Sequence, residues 1–206
     1  MENKEQKSAT INLRSIDGQE ESRIVEGYAV RFNEPSENMG FIETILPEAI
    51  TEDTIKRSDI FAKFNHRDDA ILARSRFGEG SLSLELREDG LFYQFEAPRT
   101  QFGDELIEHI KRGEITGSSF AFSLPDDGKG DKWENRKGEY RRTIKIIDKL
   151  YDISPVFIPA YSTTSCSKRA QEVIDAGKEI NEKLDSIMRE IEELTINLEN
   201  KDENKD

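Results

Sequence analysis

The sequence predicts an α+β body that is mostly β, a mixed or barrel-like sheet with a few short helices, followed by a helical tail. Three observations carry that expectation. Short runs in which apolar and polar residues alternate are bounded by Gly, Pro, Asn and Asp, the pattern of half-buried strands. Helical spacing before residue 167 is confined to two brief segments. From Lys168 the period changes, and Ile180, Leu184, Ile187, Ile191, Leu194 and Leu198 recur in alternating steps of four and three, a coiled-coil seam.

The elements follow in chain order. Residues 1–10 (MENKEQKSAT) are polar and are expected to be a disordered lead to a domain over 11–167. Ile11 to Phe32 is strand-like, with Ile24, Tyr28, Val30 and Phe32 interleaved with small or charged residues, and Gly27 marks a bulge or a close backbone approach. Phe41 to Leu46 reads as a strand, and Pro47 suits the first turn of a short helix ending near Arg57. Ile60 to Phe64 is extended and delivers Asn65-His66 at its end. The clearest hairpin has Leu82, Leu84 and Leu86 on one arm, an Asp89-Gly90 turn, and Leu91, Tyr93 and Phe95 on the other. Gly103 to Arg112 sets Leu106, Ile107 and Ile110 on one side and stops at Gly113, an amphipathic helix with a glycine end. Small residues then give way to an apolar strand through Phe122. Residues 125–142 carry 11 charges in 18 positions and read as a mobile charged loop or a loosely held hairpin. Strands over Thr143–Ile147 and Leu150–Ile158 complete the body. The tail, 168–206, is read as an amphipathic coiled coil with a frayed end that joins this chain to another copy or a partner, because an a/d seam is narrow for a core-facing helix.

Composition excludes several function classes. The chain has 206 residues, 43 acidic against 30 basic, and a formal net charge of −13. That balance disfavours nucleic acid, since nothing would neutralise phosphates over a broad surface. No apolar run approaches the roughly 20 residues that span a bilayer, and the polar N-terminus lacks the apolar stretch of a secretory signal, so a cytosolic protein is expected. One cysteine, Cys166, cannot make an internal disulfide or a thiolate cluster, and two histidines cannot build a multi-histidine metal centre. The chemistry left open uses hydroxyls, carboxylates and imidazole.

Three side chains fit such chemistry. His66 ends a strand, Ser119 follows Gly117-Ser118 in a segment where small residues let a substrate backbone approach, and Asp152 interrupts the apolar run Tyr151-Asp152-Ile153. They are the parts of a nucleophilic triad. On residue types alone the constellation is not specific, because a lone histidine at a strand end is more often a hydrogen-bonded surface group.

The order and wording of the segments add specificity. Gly27-Tyr28-Ala29-Val30-Arg31-Phe32, Glu43-Thr44-Ile45-Leu46-Pro47-Glu48-Ala49-Ile50 and Phe64-Asn65-His66 resemble the phage prohead (capsid maturation) protease family. So do Asp89-Gly90-Leu91, the helix from Leu106 to Gly113, Ile115-Thr116-Gly117-Ser118-Ser119-Phe120-Ala121-Phe122, and Leu150 through Tyr161. The resemblance covers about residues 20–165. It implies an assemblin-like β-barrel with surrounding short helices, since the family is similar in fold to the herpesvirus assemblins. It also implies a serine endopeptidase with Ser119 as nucleophile, His66 as general base and Asp152 as orienting carboxylate. Glu139 and Asp148 compete with Asp152 should the strand register differ. Arg67, Ala73, Ala121, Glu48 and Ile50 depart from the family pattern and bear on the substrate pocket, and none removes a triad member.

The implied activity is cleavage of scaffold protein and of the N-terminal part of the major capsid protein inside the procapsid, in the host cytoplasm, with self-cleavage. No metal and no organic cofactor is implied. The alternative is a catalytically silent assembly factor that binds scaffold through its C-terminal coiled coil. His109 shares its helix with Glu108 and Lys111 and reads as a solvated residue rather than a second catalytic imidazole, and Cys166 as an incidental thiol. Trp133 reads as packing on the body or lining a groove, and the Ala160–Tyr161 turn is a candidate oxyanion hole.

Overall fold

Strand pairing organises the body into two sheets in the computed structural model, which describes residues 5–13, 22–36, 38, 40–157, 183–184 and 186–189. The strands are β1 (Glu5–Leu13), β2 (Ile24–Arg31), β3 (Ile42–Ile45), β4 (Asp59–Lys63), β5 (Ile71–Arg76) and β6 (Glu79–Gly80). They continue with β7 (Ser83–Arg87), β8 (Gly90–Glu96), β9 (Gly117–Ser123), β10 (Asp131–Arg136), β11 (Glu139–Ile144) and β12 (Lys149–Val156). Two α-helices intervene, α1 (Glu52–Lys56) and α2 (Gln101–Lys111). The larger sheet has nine strands in the order β6-β5-β4-β12-β9-β1-β2-β8-β7, and the smaller runs β10-β11-β3. Among the described strands only the β12–β4 and β11–β3 pairs are parallel.

The expected barrel is not closed. β6 and β7 stand at opposite ends of the nine-stranded order and share no ladder, although only Ser81 and Leu82 separate them in the chain. The step between them is spent elsewhere. Leu82 is buried and donates its N–H to the Arg74 carbonyl at 3.1 Å, and Ser81 Oγ accepts from Arg74 N at 3.1 Å. Gly80 sits at φ +140, where a Cβ would lie 2.2 Å from the Arg74 oxygen, so the chain hugs β5 there. The connecting segment is thereby held against β5, and β7 pairs with β8 instead.

Two further expectations are corrected. Residues 5–10, expected in the disordered lead, lie in β1, which fills the gap between β9 and β2 with antiparallel ladders on both sides. A polar strand is stable in that position because the ladder, not its own sequence, satisfies its backbone. The 125–142 segment is not a mobile loop over its second half. β10 and β11 form a hairpin around Lys137-Gly138, both at positive φ, and β11 continues the ladder to β3. Its charges hold it in place. Arg142, 1% exposed at its side chain, donates Nε–H to Asp131 at 2.8 Å and a terminal N–H to Glu43 at 3.1 Å. Trp133 packs on Phe41 with ring centroids 4.9 Å apart and gives its indole N–H to Asp131 at 3.0 Å.

The remaining elements form for local reasons. The stretch after Pro47 is not one helix: a 3-10 turn over Pro47–Ala49 breaks at extended Ile50, and Thr51 then caps α1 in a capping box with Thr54. The β7–β8 hairpin turns on Glu88-Asp89, with Gly90 already paired in β8 because a Cβ there would meet the Val30 carbonyl at 2.1 Å. β2 carries its bulge between Tyr28 and Val30, just past Gly27. α2 is capped by Thr100, buries Leu106 and Ile107, and ends before Gly113 at φ +71. Beneath the strands Val25, Ile60, Leu91, Phe120, Phe122 and Ile153 make one buried core.

The chain divides into two units, Met1–Ser165 and Cys166–Asp206. In the second, residues 183–184 and 186–189 are helical. The rest of the expected coiled coil, Cys166 and the Ala160–Tyr161 turn lie outside the described residues. Among the described residues no helix is long and apolar enough to cross a membrane.

Candidate active site

The site is built where β9 and β12 pair near the middle of the larger sheet. β9 is buried on both faces, and alternation sends Ser118, Phe120 and Phe122 to one face and Ser119, Ala121 and Ser123 to the other. The first face is closed core: Ser118 Oγ and the Tyr93 hydroxyl lie 2.6 Å apart, and burial pushes the Tyr93 hydroxyl well above its ordinary pKa despite that bond. Ser119 stands on the second face, opposite Ser154 of β12.

One extra residue brings a carboxylate to that second face. Leu150 pairs with Phe122 and is buried with the core, and strict alternation would send Asp152 the same way. A bulge between Leu150 and Asp152 shifts the register by one residue, so Asp152 pairs with Ala121 and joins the face of Ser119 and Ser154. Tyr151, the inserted residue, gives its hydroxyl proton to Ser123 Oγ at 3.1 Å.

His66 arrives from the neighbouring strand. β4 runs parallel to β12 with Phe61 opposite Asp152, and a 3-10 turn over Phe64–His66 follows. Asn65 (φ 52) and His66 (φ 59) are both left-handed, a conformation that costs a non-glycine residue on the order of 1–2 kcal/mol. The tight loop is tied by Phe64 N to Ala70 O at 2.9 Å and Arg67 N to Phe64 O at 3.1 Å. Turned in this way, His66 Nδ1 lies 2.7 Å from Asp152 Oδ1.

That contact fixes the tautomer. An ionised carboxylate only accepts, so Nδ1 carries the proton and Nε2 presents its lone pair. Asp152 is 3% exposed, and its hydrogen bonds gather on one oxygen. Oδ1 accepts from His66 and from Ser154 Oγ at 2.8 Å, while Lys63 Nζ lies 3.9 Å from Oδ2 and 2.7 Å from Asp68. At this site His66 Nε2 and Ser119 Oγ are buried without a hydrogen-bond partner, and they do not bond each other. Buried polar atoms are rarely left unpaired, so an unpaired hydroxyl and imidazole nitrogen at one site call for a reason.

Of the residues singled out in the sequence, His66 and Asp152 meet directly, and Ser119 shares their sheet face across one ladder step. The competing carboxylates are elsewhere: Glu139 pairs with Arg141 at 2.6 Å and Asp148 lies 3.8 Å from Arg57. His109 is half-buried rather than solvated. Its Nδ1 is 2.6 Å from Glu114, and its ring packs on Phe157 and Phe64 at 4.7 and 6.1 Å. Sequence reading passed over Ser154 and Lys63. The first was legible as the residue two after Asp152 on the same strand face; the second was masked as the end of an apolar strand. Among the described residues no group of three His, Cys, Asp or Glu side chains is placed to hold a metal ion.

The model of the caudovirus prohead serine protease family matches residues 9–179. The chain belongs to that family. The match begins within β1, takes in β2 to β12 and therefore the whole of the site just described, in a family of serine proteases. No curated protein matches the chain. Among solved structures, the bacteriophage T4 capsid assembly protease gp21 aligns at 12% identity and a TM-score of 0.47, over 76% of this chain and 99% of that one.

Proposed function

We propose that this prohead protease family member is an active serine endopeptidase of tailed-phage capsid maturation. Ser119 Oγ attacks the scissile carbonyl carbon, and His66 Nε2 takes the hydroxyl proton as the C–O bond forms. The imidazolium is stabilised by Asp152 and returns the proton to the leaving amine, so the acyl-enzyme forms with no net proton change. Water repeats the sequence in reverse and frees the acid. The single observation that carries this reading is the pairing of His66 Nδ1 with a buried carboxylate while Nε2 and Ser119 Oγ are left unpaired.

Its substrates are the scaffold protein and the N-terminal part of the major capsid protein, and the enzyme also cuts itself. The reaction takes place within the procapsid, in the host cytoplasm. Confinement compensates for modest turnover, because enclosed partners meet at an effective concentration on the order of millimolar. The seam from Ile180 to Leu198 serves to carry the enzyme to scaffold or to a second copy.

The test is co-expression of wild type or Ser119→Ala with the capsid and scaffold proteins of the same phage, followed by intact-mass spectrometry. Wild type is expected to shorten both partners and itself, and Ser119→Ala to leave all three whole. Equal cutting by the alanine variant overturns the nucleophile. No cutting by either protein favours the silent assembly factor.

A further inference from the structure

We propose that Ser154 is a positioning residue, whose hydroxyl holds Asp152 in the orientation that meets His66. The inference rests on the triad reading above and adds a residue to it. Ser154 is fully buried, and its Oγ–H donates at 2.8 Å to Oδ1, the same oxygen that His66 Nδ1 approaches at 2.7 Å. A competing pull acts on the other side of the carboxylate. Lys63 Nζ is 3.9 Å from Oδ2, too long for a hydrogen bond, and it is already engaged by Asp68 at 2.7 Å. Rotation of the carboxylate about its Cβ–Cγ bond would shorten the Lys63 contact and lengthen the His66 contact. In a buried site that exchange is electrostatically favourable, since an ammonium is a full charge and a neutral imidazole is not. The Ser154 hydroxyl opposes it by fixing Oδ1.

Ser154 also suits the space. It lies directly opposite Ser119 in the β9–β12 ladder, where facing Cβ atoms are about 4.5–5.5 Å apart. A larger side chain would crowd the nucleophile, and an apolar one of similar size would leave Oδ1 with a single donor. The groups that face Asp152 are therefore His66 and Lys63 from the β4 side and Ser154 from its own strand, with Asp68 behind Lys63.

The probe is a fluorophosphonate, which phosphonylates an activated serine hydroxyl with loss of fluoride and needs no knowledge of the cleavage site. The full chain is labelled across pH, the rate is read by intact mass and the site by peptide mapping. Ser154→Ala is expected to slow labelling of Ser119 by roughly 10- to 100-fold, the range for losing a hydrogen bond to a charged group. The midpoint of the rate profile is expected to fall by about 0.5–1 pH unit. The sign follows from the rotation: with the Ser154 donor gone the carboxylate turns toward Lys63, and the imidazolium loses part of the counter-charge that stabilises it. Ser154→Cys keeps a weak donor at nearly the same volume and should fall between alanine and wild type, which serves if alanine fails to fold. A folded variant with wild-type rate and midpoint overturns the role of Ser154. A uniform slowing with an unmoved midpoint also overturns it, because that is what loosened packing would give. Wild type that is not labelled at Ser119 overturns the triad reading itself, a separate outcome.

Discussion

Two buried carboxylate clusters lie in the body, and they are built from different chemistry. In the small sheet Arg142 bridges Asp131 and Glu43 through a guanidinium that holds its proton at any ordinary pH. In the large sheet Asp152 is met by an imidazole, a hydroxyl and a distant ammonium, and the imidazole leaves its other nitrogen unpaired. The first cluster clamps a charged hairpin to β3. The second holds the imidazole by one nitrogen, with the Ser119 hydroxyl unpaired at the same site. Under the proposed function, burying a carboxylate has two uses here, and the partner decides which: a fixed cation gives a structural tie, a titratable one gives chemistry.

Substitutions separate the two clusters. Ser119→Ala is expected to lower peptidase activity by about 10⁴-fold or more, read as capsid-protein cleavage per unit time, with an unchanged thermal midpoint. Cleavage that persists would break the assignment of β9's second face as the working face. Asp152→Asn keeps the shape of the side chain but lets its amide favour the wrong tautomer of His66, so a loss of about 10³–10⁴-fold in rate is expected. Circular dichroism should show the fold retained. Arg142→Met is expected to do the reverse. Two carboxylates are left buried without their cation, which costs about 3–5 kcal/mol, a fall on the order of 10 °C in Tm. Labelling of Ser119 well below that Tm should be unaffected. If Arg142→Met instead slowed labelling while sparing Tm, the division between structural and chemical clusters would fail. The smallest effect belongs to the turn that aims His66. Asn65→Val places a β-branched residue at φ 52 and is expected to cost about 1–2 kcal/mol, seen in a denaturant midpoint, together with slower labelling.

Much of this was legible before the structure, and the failures have physical causes. Alternation in Leu84 and Leu86 against Leu91, Tyr93 and Phe95 located the β7–β8 hairpin because one face of each arm is buried and the other is not. The Ser119 strand was found from its apolar run, although burial on both faces hid which serine points where. Periodicity does not encode the bulge at Tyr151, so the face of Asp152 was invisible until β12 was paired with β9. The first six residues of β1 escaped notice since EQKSAT has little strand character of its own and is held by a neighbour's ladder. The β10–β11 hairpin was legible only as an alternative to a mobile loop, for the opposite reason: its charge density looks like solvation, but Arg142 and Asp131 turn inward. The barrel expected from the resemblance failed to close because β6 and β7 end the sheet unpaired with each other, with the Leu82 N–H and the Ser81 hydroxyl bonded to Arg74 of β5.

The central claim is that Ser119 on β9 is activated by His66 from the turn that follows β4. Fluorophosphonate labelling of the full chain, with the adduct mapped by peptide mass spectrometry in wild type and in His66→Ala, tests it most directly. The expected result is a single adduct on Ser119 in wild type and its loss in His66→Ala. An adduct on Ser118 or any other serine, or equal labelling of Ser119 without His66, would contradict it.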